Sequence, residues 1–231
     1  MNILITGATS GIGLEIMNIL SRNNDIFFTG RRKINRVNYY PCDLVDMFEI
    51  ETLYNKACEY FNSPIDILIN CAGQYMYKPI EKMSFDETSY LLDVNFKSAY
   101  ILSSLVVSGM KKNNWGRIIN IGSISGMVGE ANATIYSATK SAFSGFTKAL
   151  ALEVAQDNIT VNQINPGWVE TPLADDALSE DEKQEVIDEL LEHLKTKCRL
   201  DIIIQQQKIK ENELKIKYIN NKLKELNNFD K

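Results

Sequence analysis

The first apolar run of the chain, Asn2 to Thr6, ends in Thr6-Gly7-Ala8-Thr9-Ser10-Gly11-Ile12-Gly13, and a helical pattern starts directly behind it. A strand that turns through closely spaced glycines into a helix is compatible with few folds. The glycines permit the tight turn, let the backbone approach a ligand closely, and leave the free N–H groups and positive dipole end of the helix aimed at an anion. Gly7, Thr9, Ser10, Gly11, Ile12 and Gly13 are therefore candidate pyrophosphate contacts. The alternative is a glycine-rich turn with no ligand, which only the rest of the chain can exclude.

Up to about residue 170, short apolar runs alternate with longer helical patterns, as in consecutive βαβ units around a parallel sheet. Strands are expected at Asn2 to Thr6, Asp25 to Thr29, Asn38 to Cys42, Ile65 to Asn70, Gly116 to Ile121 and Thr160 to Ile164. Ser84-Phe85-Asp86-Glu87 reads as a capping box that opens a long helix carrying Asn95, and Thr134 to Ala155 reads as another helix. The 231 residues are 45% hydrophobic, enough for one domain with a real core. The fold expected is an α/β doubly wound parallel sheet of six strands in the order 3-2-1-4-5-6, with the ligand at the switch point between the first and fourth strands.

The second strand ends in Thr29-Gly30-Arg31-Arg32, where dinucleotide sites commonly carry an acid that accepts hydrogen bonds from the adenosine ribose. Arg31 and Arg32 instead offer forked contacts to a 2′-phosphate, so NADP(H) is favoured over NAD(H). The competing reading is that they solvate a loop. Further on, Tyr136-Ser137-Ala138-Thr139-Lys140 sets a phenol and an ammonium one helical turn apart. Alone this means little, since 10 Tyr and 25 Lys+Arg yield about one such pair by chance, and Tyr218 with Lys222 is another. Only the first pair has Ser123, a hydroxyl at a strand end, thirteen residues upstream.

Taken in order and spacing, Thr6 to Gly13, Asn70-Cys71-Ala72-Gly73, Asn95, Ser123, Tyr136, Lys140 and Asn165-Pro166-Gly167 resemble the motifs of the short-chain dehydrogenases/reductases over residues 1 to about 172. The block Arg117 to Ala155 is most similar to 3-oxoacyl-carrier-protein reductases. The resemblance implies hydride transfer between NADP(H) and a carbonyl or secondary alcohol, with a 3-oxoacyl thioester, a small ketone or aldehyde, or a sugar carbonyl as substrate. It assigns Tyr136 as general acid and base, Lys140 as the cation that lowers its pKa and holds the nicotinamide ribose, Ser123 as donor to the substrate oxygen, and Asn95 as holder of a relay water. It also places Asp43 and Leu44 at the adenine, Asn70, Ala72 and Gly73 along the cofactor, and Pro166, Gly167, Val169 and Thr171 near the nicotinamide. Two rivals stay open: a non-catalytic NADP(H)-binding protein with a helical interaction tail, and a sugar-nucleotide epimerase or dehydratase.

Two departures from the family pattern stand out. Only twelve residues separate Gly30 from Asp43, too few for the usual crossover helix, and Asn70-Cys71 replaces Asn-Asn. After Pro172 no Gly or Pro remains, so a Rossmann unit of 1–175 is followed by a helical segment of 176–231. Within it, Ser179-Glu180-Asp181-Glu182 reads as a capping box. Ile202, Ile209, Ile216 and Leu223 recur every seven residues, a seam suited to a coiled coil or to a solvated helix with one apolar stripe. The usual last strand is not visible. His193 reads as a surface residue. A net charge of -5 argues against nucleic acid or an anionic membrane as partner, and Cys42, Cys58, Cys71 and Cys198 form no metal or disulfide pattern. A soluble cytoplasmic homo-oligomer acting on a small molecule is the expectation, with no metal.

Overall fold

The computed structural model of the chain describes residues 1–169, 171 and 173. The sheet contains β1 (Asn2–Ile5), β2 (Asp25–Gly30), β3 (Tyr39–Pro41), β4 (Ile67–Asn70), β5 (Gly116–Ile121) and β6 (Ile159–Ile164). All pairings are parallel and the spatial order is β3-β2-β1-β4-β5-β6, as expected. The connecting helices are α1 (Gly11–Leu20), α2 (Met47–Phe61), α3 (Phe85–Leu92), α4 (Ser98–Lys112), the short α5 (Ser125–Val128) and α6 (Thr134–Glu153).

Alternation along the strands sends side chains to the two faces, and helices bury both. Leu4, Phe27, Leu68 and Ile118 pack on one side with Leu53 of α2 and Leu102 and Val106 of α4. Ile3, Ile5, Ile26, Phe28 and Ile69 pack on the other with Met17 of α1. Both faces are needed to bury such continuously apolar strands.

The short segment between β2 and β3 forms no helix, in line with the spacing. β3 is only three residues long, yet Phe28 N–H donating to Asn38 and Cys42 N–H donating to Gly30 extend the pairing to both ends of the expected run. The helix opened by Ser84 has the full capping box, with Glu87 held also by Lys78 at 2.7 Å. It does not run uninterrupted. Asp93–Lys97 forms a wider π turn between α3 and α4, and the buried Asn95 lies inside it. The 175/176 division and the tail helices, with their heptad seam and His193, lie outside the described residues.

Candidate active site

At the carboxyl ends of β1 and β4 the two loops meet closely. Gly7 has φ +68, and a Cβ there would come 2.7 Å from the Ala72 Cα; a Cβ on Gly13 would come 2.4 Å from the Gly7 carbonyl oxygen. Only glycines let the turn fold this tightly on itself. The Thr6 hydroxyl ties the loops together by accepting from the N–H groups of Cys71 and Ala72, both at 3.1 Å. α1 then starts with no acidic residue in its first turn and with the Ser10 side chain making no cap bond. Its N–H groups and dipole face a cleft of about 330 Å³.

That cleft gathers most of the residues singled out in the sequence. Gly7, Thr9, Ser10, Gly11, Ile12 and Gly13 line its middle; Arg31, Arg32, Asp43 and Leu44 line one region; Ala72, Gly73, Tyr136, Lys140 and Thr171 line the rest. Asn70, Asn95, Ser123, Pro166, Gly167 and Val169 are not among its walls. Asn70 is buried behind it, donating to Asn120 at 2.9 Å and Ser103 at 3.3 Å, while Pro166 accepts from Ile124 N–H at 2.9 Å. The arginines differ. Arg31 reaches Tyr90 at 3.1 Å and Gln74 at 3.4 Å, whereas the Arg32 side chain makes no hydrogen bond among the described residues.

β5 delivers Ser123 just past its end, and α6 presents Tyr136 and Lys140 from successive turns of one face. The Lys140 ammonium is buried, donates to the Ile121 carbonyl at 3.0 Å, and lies 5.7 Å from the centre of the Tyr136 ring. Burial lowers its pKa to about 8. Tyr136 departs from expectation: burial raises its pKa, Ser123 pulls it back by hydrogen bonding, and the Glu130 charge raises it again. Desolvation is the largest influence on the phenol, and the Lys140 proton is directed to the Ile121 carbonyl.

Asn95 is fully buried. Its Oδ1 accepts from Gln74 N–H at 2.7 Å, and its Nδ2 donates to the Gln74 carbonyl at 2.8 Å and to Thr139 at 3.2 Å. From a π turn within the helix the side chain therefore pins the loop after β4 to α6.

Beside Tyr136 is a polar group that sequence reasoning did not single out. Tyr75 meets the Tyr136 ring edge to face at 4.8 Å and donates to Glu130 at 2.5 Å. Ser125 donates to the other Glu130 oxygen at 2.6 Å, and Ser123 donates to Ser125 at 3.1 Å. Nothing in the spacing marks Glu130 or Tyr75; they come together only because the loops after β4 and α5 converge on the start of α6.

A doubly wound parallel sheet whose first strand turns through glycines into a cleft at the switch point defines a Rossmann-type dinucleotide-binding protein. The chain belongs to the short-chain dehydrogenase family, whose sequence profile matches residues 1–184. It is similar to a D-beta-hydroxybutyrate dehydrogenase of Cupriavidus necator, 38% identical over 184 residues, covering 74% of this chain and 71% of that one. It is likewise similar to the 3-oxoacyl-[acyl-carrier-protein] reductase FabG of Buchnera aphidicola, 37% identical with 74% of each chain covered, and to FabG of Haemophilus influenzae, 34% identical with 80% of each covered. It is thus an oxidoreductase family member, and the family implies a nicotinamide cofactor. The residues fit one: an acid-free helix N-terminus behind glycines for the pyrophosphate, with a phenol and a buried ammonium in the same cleft. No described helix is long and apolar enough to cross a membrane.

Proposed function

We propose that the chain catalyses reversible hydride transfer between NADP(H) and a carbonyl or secondary alcohol, with 3-oxoacyl thioesters among its substrates. The observation that carries this reading is the meeting of Tyr136 and Lys140 in the glycine-lined cleft, with the Ser123 hydroxyl acting by hydrogen bonding to lower the phenol's pKa. When bound, the nicotinamide supplies the hydride in reduction and takes it in oxidation. In this reading Tyr136 gives its proton to the carbonyl oxygen during reduction and recovers it during oxidation. Its raised pKa keeps the phenol protonated at neutral pH, which suits the acid role. Ser123 holds the substrate oxygen against that proton, and Lys140 supplies positive charge as phenolate character develops. Asn95 keeps Gln74 in place and retains a lone pair on Oδ1 for a relay water.

Support for NADP over NAD comes from the end of β2. Arg31 and Arg32 border the cleft there, and Gly30 carries no side chain that could accept from a ribose hydroxyl. The substrates named for the relatives, a 3-hydroxy acid and a 3-oxoacyl thioester, share an oxygen on the third carbon, which supports that substrate class here.

The test is titration with NADPH and NADH by nicotinamide fluorescence, followed by NADPH oxidation with acetoacetyl thioester and other carbonyls. Tighter NADPH binding, and turnover reduced at least about a hundredfold in Tyr136→Phe, are expected. Folded protein that binds NADPH but turns over no carbonyl would overturn the reading.

A further inference from the structure

We infer that Glu130 makes the substrate side of this reaction centre discriminate against anionic carbonyl compounds, so that it takes neutral 3-oxo thioesters, esters or ketones in preference to 3-oxo or 3-hydroxy carboxylates. The inference rests on the proposed function and separates the two substrate types borne by the relatives' names. The Glu130 carboxylate is two hydrogen bonds from Ser123, through Ser125, and one from Tyr75, whose ring packs on Tyr136. Its charge is felt at the reacting phenol, where it acts to raise the pKa of Tyr136.

The polarity of the hydrogen bonds matters as much as the charge. An ionised carboxylate only accepts, so the hydroxyl protons of Tyr75 and Ser125 are turned toward Glu130. Ser123 donates to Ser125 at 3.1 Å, and in the proposed mechanism it turns that single proton to the substrate oxygen. Tyr75 and Ser125 therefore have no proton to spare for a substrate, and the group they serve is a negative charge, while a substrate carboxylate needs donors and a positive charge. Among the described residues no Lys or Arg forms an ion pair with Glu130; Lys78, the cation on the adjoining loop, is paired to Glu87. Lys140 is committed to the Ile121 carbonyl and, in the proposed mechanism, to the phenol and ribose. A carboxylate one methylene from the reacting carbonyl would thus feel the Glu130 charge with no cation paired to it, and in a partly desolvated site like charges weaken binding by about tenfold or more. A thioester or methyl ester brings no such charge.

The experiment measures binding rather than turnover. In a Tyr136→Phe background saturated with NADPH, dissociation constants for acetoacetate and methyl acetoacetate are read from nicotinamide fluorescence, with Glu130 intact and as Glu130→Gln or Glu130→Asp. NADPH affinity in the same titrations reports that the cleft is intact. With Glu130 present the ester should bind at least about tenfold more tightly than the anion, Glu130→Asp should keep that preference, and Glu130→Gln should bring the two within about threefold. Equal binding of both ligands to the parent, a preference unchanged in Glu130→Gln, or binding of neither ligand would overturn the inference. If the discrimination appears but the wild-type enzyme oxidises NADPH with no carbonyl, the proposed function fails and the selectivity stands.

Discussion

Lys140 shows how this site spends stability for function. The folded chain holds its ammonium at a pKa of about 8 against an ordinary 10.5, because burial removes the water that would solvate the charge. Between those pH values the unfolded chain binds more protons, so this residue's contribution to stability rises with pH across that window, and the penalty is complete below it. Lys140→Met removes the charge but leaves the Ile121 carbonyl without its donor. It should be more stable than wild type by about 2 kcal/mol at pH 7 in urea titrations, with the gain fading toward pH 10.5. Tyr75, Tyr136, Cys42 and Cys71 all have raised pKa values and pull stability down in alkali, so the difference between the two proteins, not either alone, isolates the lysine. The same variant should lose turnover. Ser123, Tyr136 and Lys140 could be found in the sequence because a strand end and a helical turn fix their spacing. Glu130 and Tyr75 could not, since their contact spans 55 residues and depends on two loops meeting.

At the scale of elements, the turn between β1 and α1 leaves no room for a side chain at Gly13, where a Cβ would press on the Gly7 carbonyl oxygen at 2.4 Å. Gly13→Ala should therefore reshape the turn and weaken NADPH binding by more than about tenfold, measured by fluorescence titration, because the N–H groups that face the pyrophosphate are carried by this turn. The start of α3 tests a different device. Ser84 accepts from Glu87 N–H at 3.1 Å while the Glu87 carboxylate accepts from Ser84 N–H at 2.8 Å. Ser84→Ala should cost about 1 kcal/mol in chemical denaturation. This capping box was legible as a local pattern. The π turn at Asp93–Lys97 was not, and the bonds its Asn95 makes are to Gln74, twenty-one residues away.

For the whole molecule, the cleft joins the β2 side of the sheet to the α6 side, so a ligand lying along it should stabilise the folded chain as a unit. At a hundred times its dissociation constant, NADPH should add about 2.7 kcal/mol, seen as a rise in Tm. Replacing Arg31 and Arg32 together by Ala should raise the NADPH dissociation constant by about tenfold or more while leaving that for NADH within about threefold, since only the 2′-phosphate would lose a charge-assisted partner. Equal losses for both cofactors would instead assign the arginines a general role.

By itself the sequence determined the strand and helix order, the parallel sheet, the missing crossover helix before β3, and the family, because each is written in local periodicity, turn chemistry or fixed motif spacing. Tertiary structure decided the rest. It moved Asn70 behind the cleft, separated the engaged Arg31 from Arg32, turned the phenol's pKa upward, and set Glu130 beside Ser125 and Tyr75. Those outcomes depend on burial and on which distant loops touch, and desolvation and long-range contact leave no periodic trace in a chain of residues.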